Sequence, residues 1–262
     1  MDAWRGPLDP SPSDRREAAL ARRWRRLRDG IPSALYLLAW AVALVAVGVL
    51  VGVLLAKVVS HDAVGRADAG VDRWLAAHRT GSWNSVTRFT TDAAETPTIA
   101  ALAALTFAGA VLAWRRWREP MLVAAAVLGE VLVFLAITLL VKRPRPPVGH
   151  LDAAPPTSSF PSGHTAAAIA LYGAWAVLAW QHARSSLLRG LLTLLAVAVP
   201  VAVGAARMYR GMHYPSDVIG GALLGAIWLA LSVRAVRLGV LHRRLRAGAG
   251  RAGRRQPLLR HG

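Results

Sequence analysis

Three short polar clusters interrupt an otherwise apolar chain: "VKRPRPP" at residues 141–147, "SFPSGHT" at 159–165 and "ARMYRGMHYPSD" at 206–217. In the third, His213 and Asp217 stand four apart, astride the start of a helix whose first turn suits Pro215. Asp217 is expected to turn back and accept a hydrogen bond from the His213 Nδ1–H. That bond would fix the tautomer and leave Nε2 as the free, more basic nitrogen. A carboxylate-held imidazole is what a histidine base or a histidine nucleophile requires. Arg207 brings a permanent cation to the same place. In the second cluster Pro161 and Gly163 make a tight turn, and a helix begins near His164. A helix N-terminus offers unpaired N–H groups and a partial positive charge, so it attracts anions. Ser162 adds a hydroxyl, and His164 sits at the rim, placed to give or take a proton. The first cluster contributes Lys142, Arg143 and Arg145, stiffened by Pro144, Pro146 and Pro147. The planar fork of arginine matches the oxygens of a phosphate.

Cations, a helix N-terminus and two histidines, one with a carboxylate partner, describe a phosphoryl-transfer site that needs no metal. The cations neutralise the equatorial oxygens of the transition state. One histidine attacks phosphorus and the other protonates the leaving oxygen. No cofactor is expected. The chain has no cysteine, which excludes disulfides and thiolate metal sites.

The elements that must position these clusters are membrane helices. The 262 residues are 55% hydrophobic with a mean hydropathy of +0.38, yet the net charge is +18, so charge and apolarity are segregated along the chain. Six apolar runs have about the 20 residues that a hydrocarbon core requires. They cover roughly Ala34–Ser60, Thr96–Trp114, Pro120–Val141, His164–Gln181, Leu187–Ala206 and Ser216–Val236. The expected fold is therefore all-α: a six-helix membrane bundle over residues 33–240, between a basic arm at 1–32 and a basic tail at 241–262. The first run follows a long basic arm and lacks a small-residue cleavage site, so it reads as a span and not as a signal peptide. Residues 62–80 mix Val64, Val71, Trp74 and Leu75 with charges and predict a short helix in the interface.

Residues 1–30, 114–119, 182–190 and 234–262 carry +3, +2, +2 and +9, whereas 61–95, 142–163 and 207–217 carry −1, +2 and +1. The positive-inside rule puts the first set, and both termini, in the cytoplasm, and the three clusters on the outer face of the cell membrane. The arginines lie at the ends and between apolar runs, with no nucleic-acid-binding module. Anionic lipid headgroups are their expected partners.

With these residues in order, the chain resembles the type 2 phosphatidic acid phosphatase superfamily of membrane lipid phosphatases. Its pattern is Lys-x6-Arg-Pro, then Pro-Ser-Gly-His, then Ser-Arg-x5-His-x3-Asp. The second part is complete at Pro161–His164. The third fits at Arg207, His213 and Asp217, with Ala206 in place of the usual serine, and the first fits only as Arg145-Pro146. The resemblance covers about residues 60–235. It implies that His213 is the nucleophile and forms a phosphohistidine, that Asp217 orients it, and that His164 is acid and then base. It also implies that Arg145, Arg207, Ser162 and the Gly163 N–H hold the phosphoryl oxygens. Thr138 stands where the family has its lysine. Lys142, four residues on and one helical turn nearer the surface, either replaces that ammonium or merely snorkels to the headgroups. The implied substrate is a lipid phosphate or diphosphate: a polyprenyl diphosphate, phosphatidic acid or phosphatidylglycerol phosphate.

A transporter or lipid-binding protein that uses the same anion site is the alternative, although transporters place charges and broken helices near mid-membrane. A soluble haloperoxidase, which shares the motif set, is argued against by the apolar spans. Glu130, inside the third run, is a functional candidate by position, and is expected to be a protonated or paired residue between helices. His61, His78, His150 and His182 read as solvated or interfacial. Gly220, Gly221 and Gly225 read as close packing inside the bundle. Arg143 is left as support.

Overall fold

The computed structural model describes residues 12–57 and 62–253, and those residues form helices joined by loops. In chain order the helices are α1 (Pro12–Lys57), α2 (Ala63–Ala77), α3 (Gly81–Asp92), α4 (Thr96–Trp114), α5 (Arg118–Leu140), α6 (Gly163–His182), α7 (Ser186–Tyr209) and α8 (Pro215–Gly253).

Local sequence sets several of the starts. The Asp62 side chain caps α2 by accepting from Val64 N at 2.8 Å and Gly65 N at 3.3 Å. Thr80 does the same for α3 through Trp83 N at 3.3 Å, and Ser185 for α7 through Leu188 N at 3.3 Å. Pro97 in the first turn of α4 and Pro215 at the start of α8 occupy positions where a missing N–H costs nothing.

Among the described residues, five segments are long and apolar enough to cross a membrane: Ser33–Lys57, Thr96–Trp114, Arg118–Leu140, Ser186–Tyr209 and Pro215–Gly239. The sixth expected span, at His164–Gln181, is α6, which is rich in alanine and is not among these five. The difference follows from its place. It is the central helix, packed against α4, α5, α7 and α8, with Ala166, Ala168, Ala170 and Ala174 at zero exposure. Small side chains let its neighbours come close. Outer helices carry the large apolar residues instead, such as Leu105, Leu112, Leu132 and Leu194, all exposed.

Glycine sets the α6–α8 contact. A Cβ on Gly221 would lie 2.3 Å from the Ser162 carbonyl oxygen, and one on Gly225 would lie 2.6 Å from that of Ala166. The expected close packing of this glycine set is therefore a contact inside the bundle. Two buried side chains are satisfied by backbone carbonyls: Trp228 Nε1 donates to Ala125 O at 2.9 Å and Tyr172 Oη to Ala93 O at 2.9 Å.

Residues 12–30, part of the expected basic arm, continue α1 as helix, and α8 likewise runs on to Gly253; residues 1–11, 58–61 and 254–262, His61 among them, lie outside the described ones. Within the stretch 62–80 the chain forms a short helix, α2, and one side of it is buried in the protein. Val64, Val71 and Trp74 are exposed as expected, but Asp68 and Asp72 are buried on its other side. α3 was not anticipated.

Candidate active site

The three clusters meet at one end of the bundle, where α5 ends, α6 begins, α7 ends and α8 begins. The loop from 141 to 162 folds back on itself: Ser159 N donates to Arg143 O at 3.0 Å, Ser159 Oγ to Pro144 O at 3.0 Å, and Arg143 N to Ser158 Oγ at 3.2 Å. Arg210 ties this loop to its surroundings by donating to Asp152 at 2.5 and 2.8 Å, to Leu151 O at 3.2 Å and to Asn84 O of α3 at 3.0 Å. After α7 the chain turns at Gly211, whose φ of +76° favours glycine, and returns as the His213 segment.

His213 is buried, and its Nδ1 lies 2.7 Å from the Ser159 carbonyl oxygen. Asp217 Oδ2 is 3.9 Å from that nitrogen, beyond hydrogen-bond range. The expected Asp217–His213 bond is thus replaced by a backbone one. The carbonyl can only accept, so Nδ1 carries the hydrogen and Nε2 keeps its lone pair. Burial first, then the Arg207 and Arg145 cations, push the His213 pKa well below 6.5 against the Ser159 bond, so the ring is neutral at pH 7.

Asp217 turns the other way. It accepts from Arg143 Nη1 at 2.5 Å and from Tyr214 N at 2.9 Å. Arg143 is buried as well and reaches Asp68 on α2 at 2.9 Å, with Tyr214 stacked 4.3 Å from the guanidinium carbon. Its charge is spent on two carboxylates, which makes it a tie between α2 and α8.

Arg207 donates to Asp152 at 3.0 Å through Nη1, and its buried Nε has no partner. Arg145 donates to Met212 O at 2.7 Å, and its buried Nε is also unpartnered. His164 Nε2 lies 3.2 Å from Glu95 Oε1, at pairing distance but off the hydrogen-bond line. The imidazole holds the Glu95 carboxyl below its usual range against the opposing effect of burial.

Arg145, Arg207, His164, His213 and Gly163 line one end of a cavity of about 700 Å³. Much of the remaining wall is apolar side chain from α4 and α5, including Ile99, Phe107, Val127 and Leu135. A recess of about 250 Å³, lined by Arg88, Asp92, Glu95 and Asp152, lies beside it. Converging unpaired N–H donors next to a neutral imidazole form a site for a tetrahedral anion, with an apolar cavity behind it for a lipid tail.

The structure thus brings together His213, His164, Arg145, Arg207 and Gly163, and places Asp217 behind His213. Ser162 is fully buried, and its hydroxyl pairs with Thr165 Oγ1 at 3.0 Å, off the cavity wall. Lys142 is exposed and lines no part of the cavity. The expected helical register from Thr138 to Lys142 does not exist, because α5 ends at Leu140 and Val141 is already extended. Thr138 itself is buried and donates to Ser158 O at 3.3 Å. His182, read as interfacial, lies 3.2 Å from Glu119 at the opposite end of the bundle. Among the described residues no group of three or more His, Asp or Glu is disposed to hold a metal ion.

Sequence reasoning missed three contributors: the Ser159 carbonyl, Glu95 and Asp152. The first carries no side-chain signal. The two acids lie in loops far along the chain from the residues they meet, with no spacing to mark them.

The family model of the PAP2 superfamily matches residues 119–239. No curated protein matches the chain. Among solved structures, the first transmembrane PAP2 type phosphatidylglycerolphosphate phosphatase from Bacillus subtilis aligns with a TM-score of 0.61 and 24% identity, over 78% of this chain and 93% of that one. LpxE of Aquifex aeolicus aligns with a TM-score of 0.51 and 21% identity, over 64% of this chain and 95% of that one. These likenesses show a shared fold. The matched stretch carries all three polar clusters, so the part of the chain that holds the site matches the PAP2 superfamily.

Proposed function

We propose that this membrane protein removes a phosphoryl group from a lipid phosphate or diphosphate through a phosphohistidine on His213. The observation that carries the reading is the cavity: two histidines and two arginines with unpaired buried Nε atoms at one end, apolar helix behind. The His213 Nε2 lone pair attacks phosphorus, the P–N bond forms, and the bond from phosphorus to the lipid-side oxygen breaks. His164 gives its proton to that oxygen, and the lipid product leaves. His164 then takes a proton from water, the hydroxide attacks phosphorus, and the P–N electron pair returns to Nε2 as inorganic phosphate departs. Arg145, Arg207 and the Gly163 N–H hold the equatorial oxygens throughout.

Six crossings of the cell membrane, with the termini cytoplasmic and the site outside, complete the proposal. α6 connects the site end, where α5 finishes, to the far end, where α7 starts, and at about 1.5 Å per residue its length suffices. The test is phosphate release by the detergent-purified chain with EDTA present, on phosphatidic acid, phosphatidylglycerol phosphate and polyprenyl diphosphate. Release is expected from at least one lipid, and His213→Ala is expected to remove it by about a thousandfold or more. Lipid binding without His213-dependent release would overturn the reading.

A further inference from the structure

Among the described residues Glu130 is the one carboxyl on the wall of the cavity, and its surroundings do not account for it. Its side chain is buried at 1% exposure, Oε1 has no hydrogen-bond partner, and it faces neither a cation nor another acid. Of the two expected alternatives, a protonated residue or one paired between helices, the pairing is absent among the described residues. An unpaired polar group in apolar surroundings carries a free-energy cost unless something supplies its hydrogen bond. The space it borders is the space where the proposed substrate would lie.

Its depth narrows what that substrate presents. Gly163, at the start of α6, is packed against Phe134 so closely that a Cβ there would fall 2.7 Å from the ring. The phosphate end of the cavity is therefore level with Phe134 of α5. Glu130 is four residues earlier on α5, one turn or about 6 Å deeper. In a diacylglycerol phosphate the group at about that distance from phosphorus is an acyl ester, two or three bonds into the glycerol; chain geometry of about 1.5 Å per bond gives the estimate. An ester carbonyl accepts a hydrogen bond, and the acid form of a carboxyl has an O–H to donate. By the same count a polyprenyl diphosphate has its second phosphorus only about 3 Å from the first, so at the depth of Glu130 it presents prenyl hydrocarbon, which accepts no hydrogen bond.

We infer that Glu130 is a specificity-determining residue that hydrogen-bonds the glycerol-ester region of the substrate, so that the cavity selects acyl glycerolipid phosphates over polyprenyl diphosphates and ether lipids. This rests on the phosphatase reading and names the substrate class of the same cavity. Glu130 is remote from the reacting atoms and acts on binding, not on the chemical step.

The test compares diester phosphatidic acid, its diether analogue and a polyprenyl diphosphate on the full chain in detergent. The native protein is expected to favour ester over ether by about tenfold in kcat/KM, the worth of one neutral hydrogen bond. Glu130→Leu is expected to erase that preference, through a KM that rises for the ester lipid more than for the ether lipid. Glu130→Gln, which keeps a donor and an acceptor, should retain most of it. Equal use of ester and ether lipids by the native chain, or an equal loss on both in Glu130→Leu, overturns the inference while His213-dependent release leaves the phosphatase reading standing. If no lipid is hydrolysed, that reading falls. The inference is then decided by binding of the ester and ether lipids to native and Glu130→Leu protein, and is overturned by equal affinities.

Discussion

His164 meets a carboxylate that belongs to no motif. Glu95 lies in the loop before α4, and its Oε1 sits 3.2 Å from His164 Nε2. A general acid must be held at its proton-transfer geometry, and a neighbouring carboxylate restricts the ring. Glu95 touches no reacting atom, so its role is positioning. Glu95→Gln is expected to slow release from an alkyl phosphate by about tenfold to a hundredfold, since an alkoxide cannot leave without the proton. Release from an aryl phosphate with an acidic phenol should change little, because that leaving group departs unprotonated. A parallel loss on both substrates would make Glu95 a structural residue only. The two histidines and two arginines on the cavity wall stood out in the sequence because each sits within its own short polar cluster. The Ser159 carbonyl that holds His213 was not, since side-chain type says nothing of where a backbone oxygen points. The carboxylate expected to do that work, Asp217, is instead drawn off by Arg143, a contact across 74 positions of sequence.

Between elements, Arg143 joins helices that hydropathy alone would leave unconnected. It bridges Asp68 on α2 and Asp217 on α8 with side chains almost fully buried, and Ser216 Oγ donates to the same Asp68 carboxylate. Removing one partner of such a network strands the others as uncompensated charge, at a cost of about 3–5 kcal/mol. Arg143→Ala is thus expected to lower the thermal midpoint in detergent sharply. The double variant Arg143→Ala with Asp68→Asn should recover part of the loss, because it leaves one fewer stranded charge. A phosphate-ligand role predicts the opposite pattern: normal stability, weakened substrate binding and no rescue. Apolar length announced α1, α4, α5, α7 and α8, and the polar face of α2 was visible as charges among valines. That the charges turn inward could not be read, because an acid on a short amphipathic helix looks the same facing water as facing a buried arginine. α6 was placed by its run length, but its alanine content, the sign of a central helix, was not used.

At the scale of the whole molecule, the basic segments and the reactive cluster lie at opposite ends of the bundle. Arg115, Arg116, Arg118 and Arg184 stand at the turns α4–α5 and α6–α7, whereas the loop 141–162 and the His213 segment crown the other end. By the positive-inside rule the basic end is expected in the cytoplasm, and the proposed topology then opens the cavity at the outer face. Since the chain has no cysteine, single replacements report directly on sidedness. Ala154→Cys lies in an exposed part of the site-end loop, and Ser186→Cys at the exposed start of α7. A membrane-impermeant maleimide added to intact cells is expected to label the first and not the second, and to label both once the membrane is opened. Labelling of Ser186→Cys alone in intact cells would invert the molecule. Phosphate would then be released inside the cell, and the arginines would stand outside, away from the anionic cytoplasmic leaflet that their charge matches. One experiment on two small side chains therefore decides which compartment the active site serves.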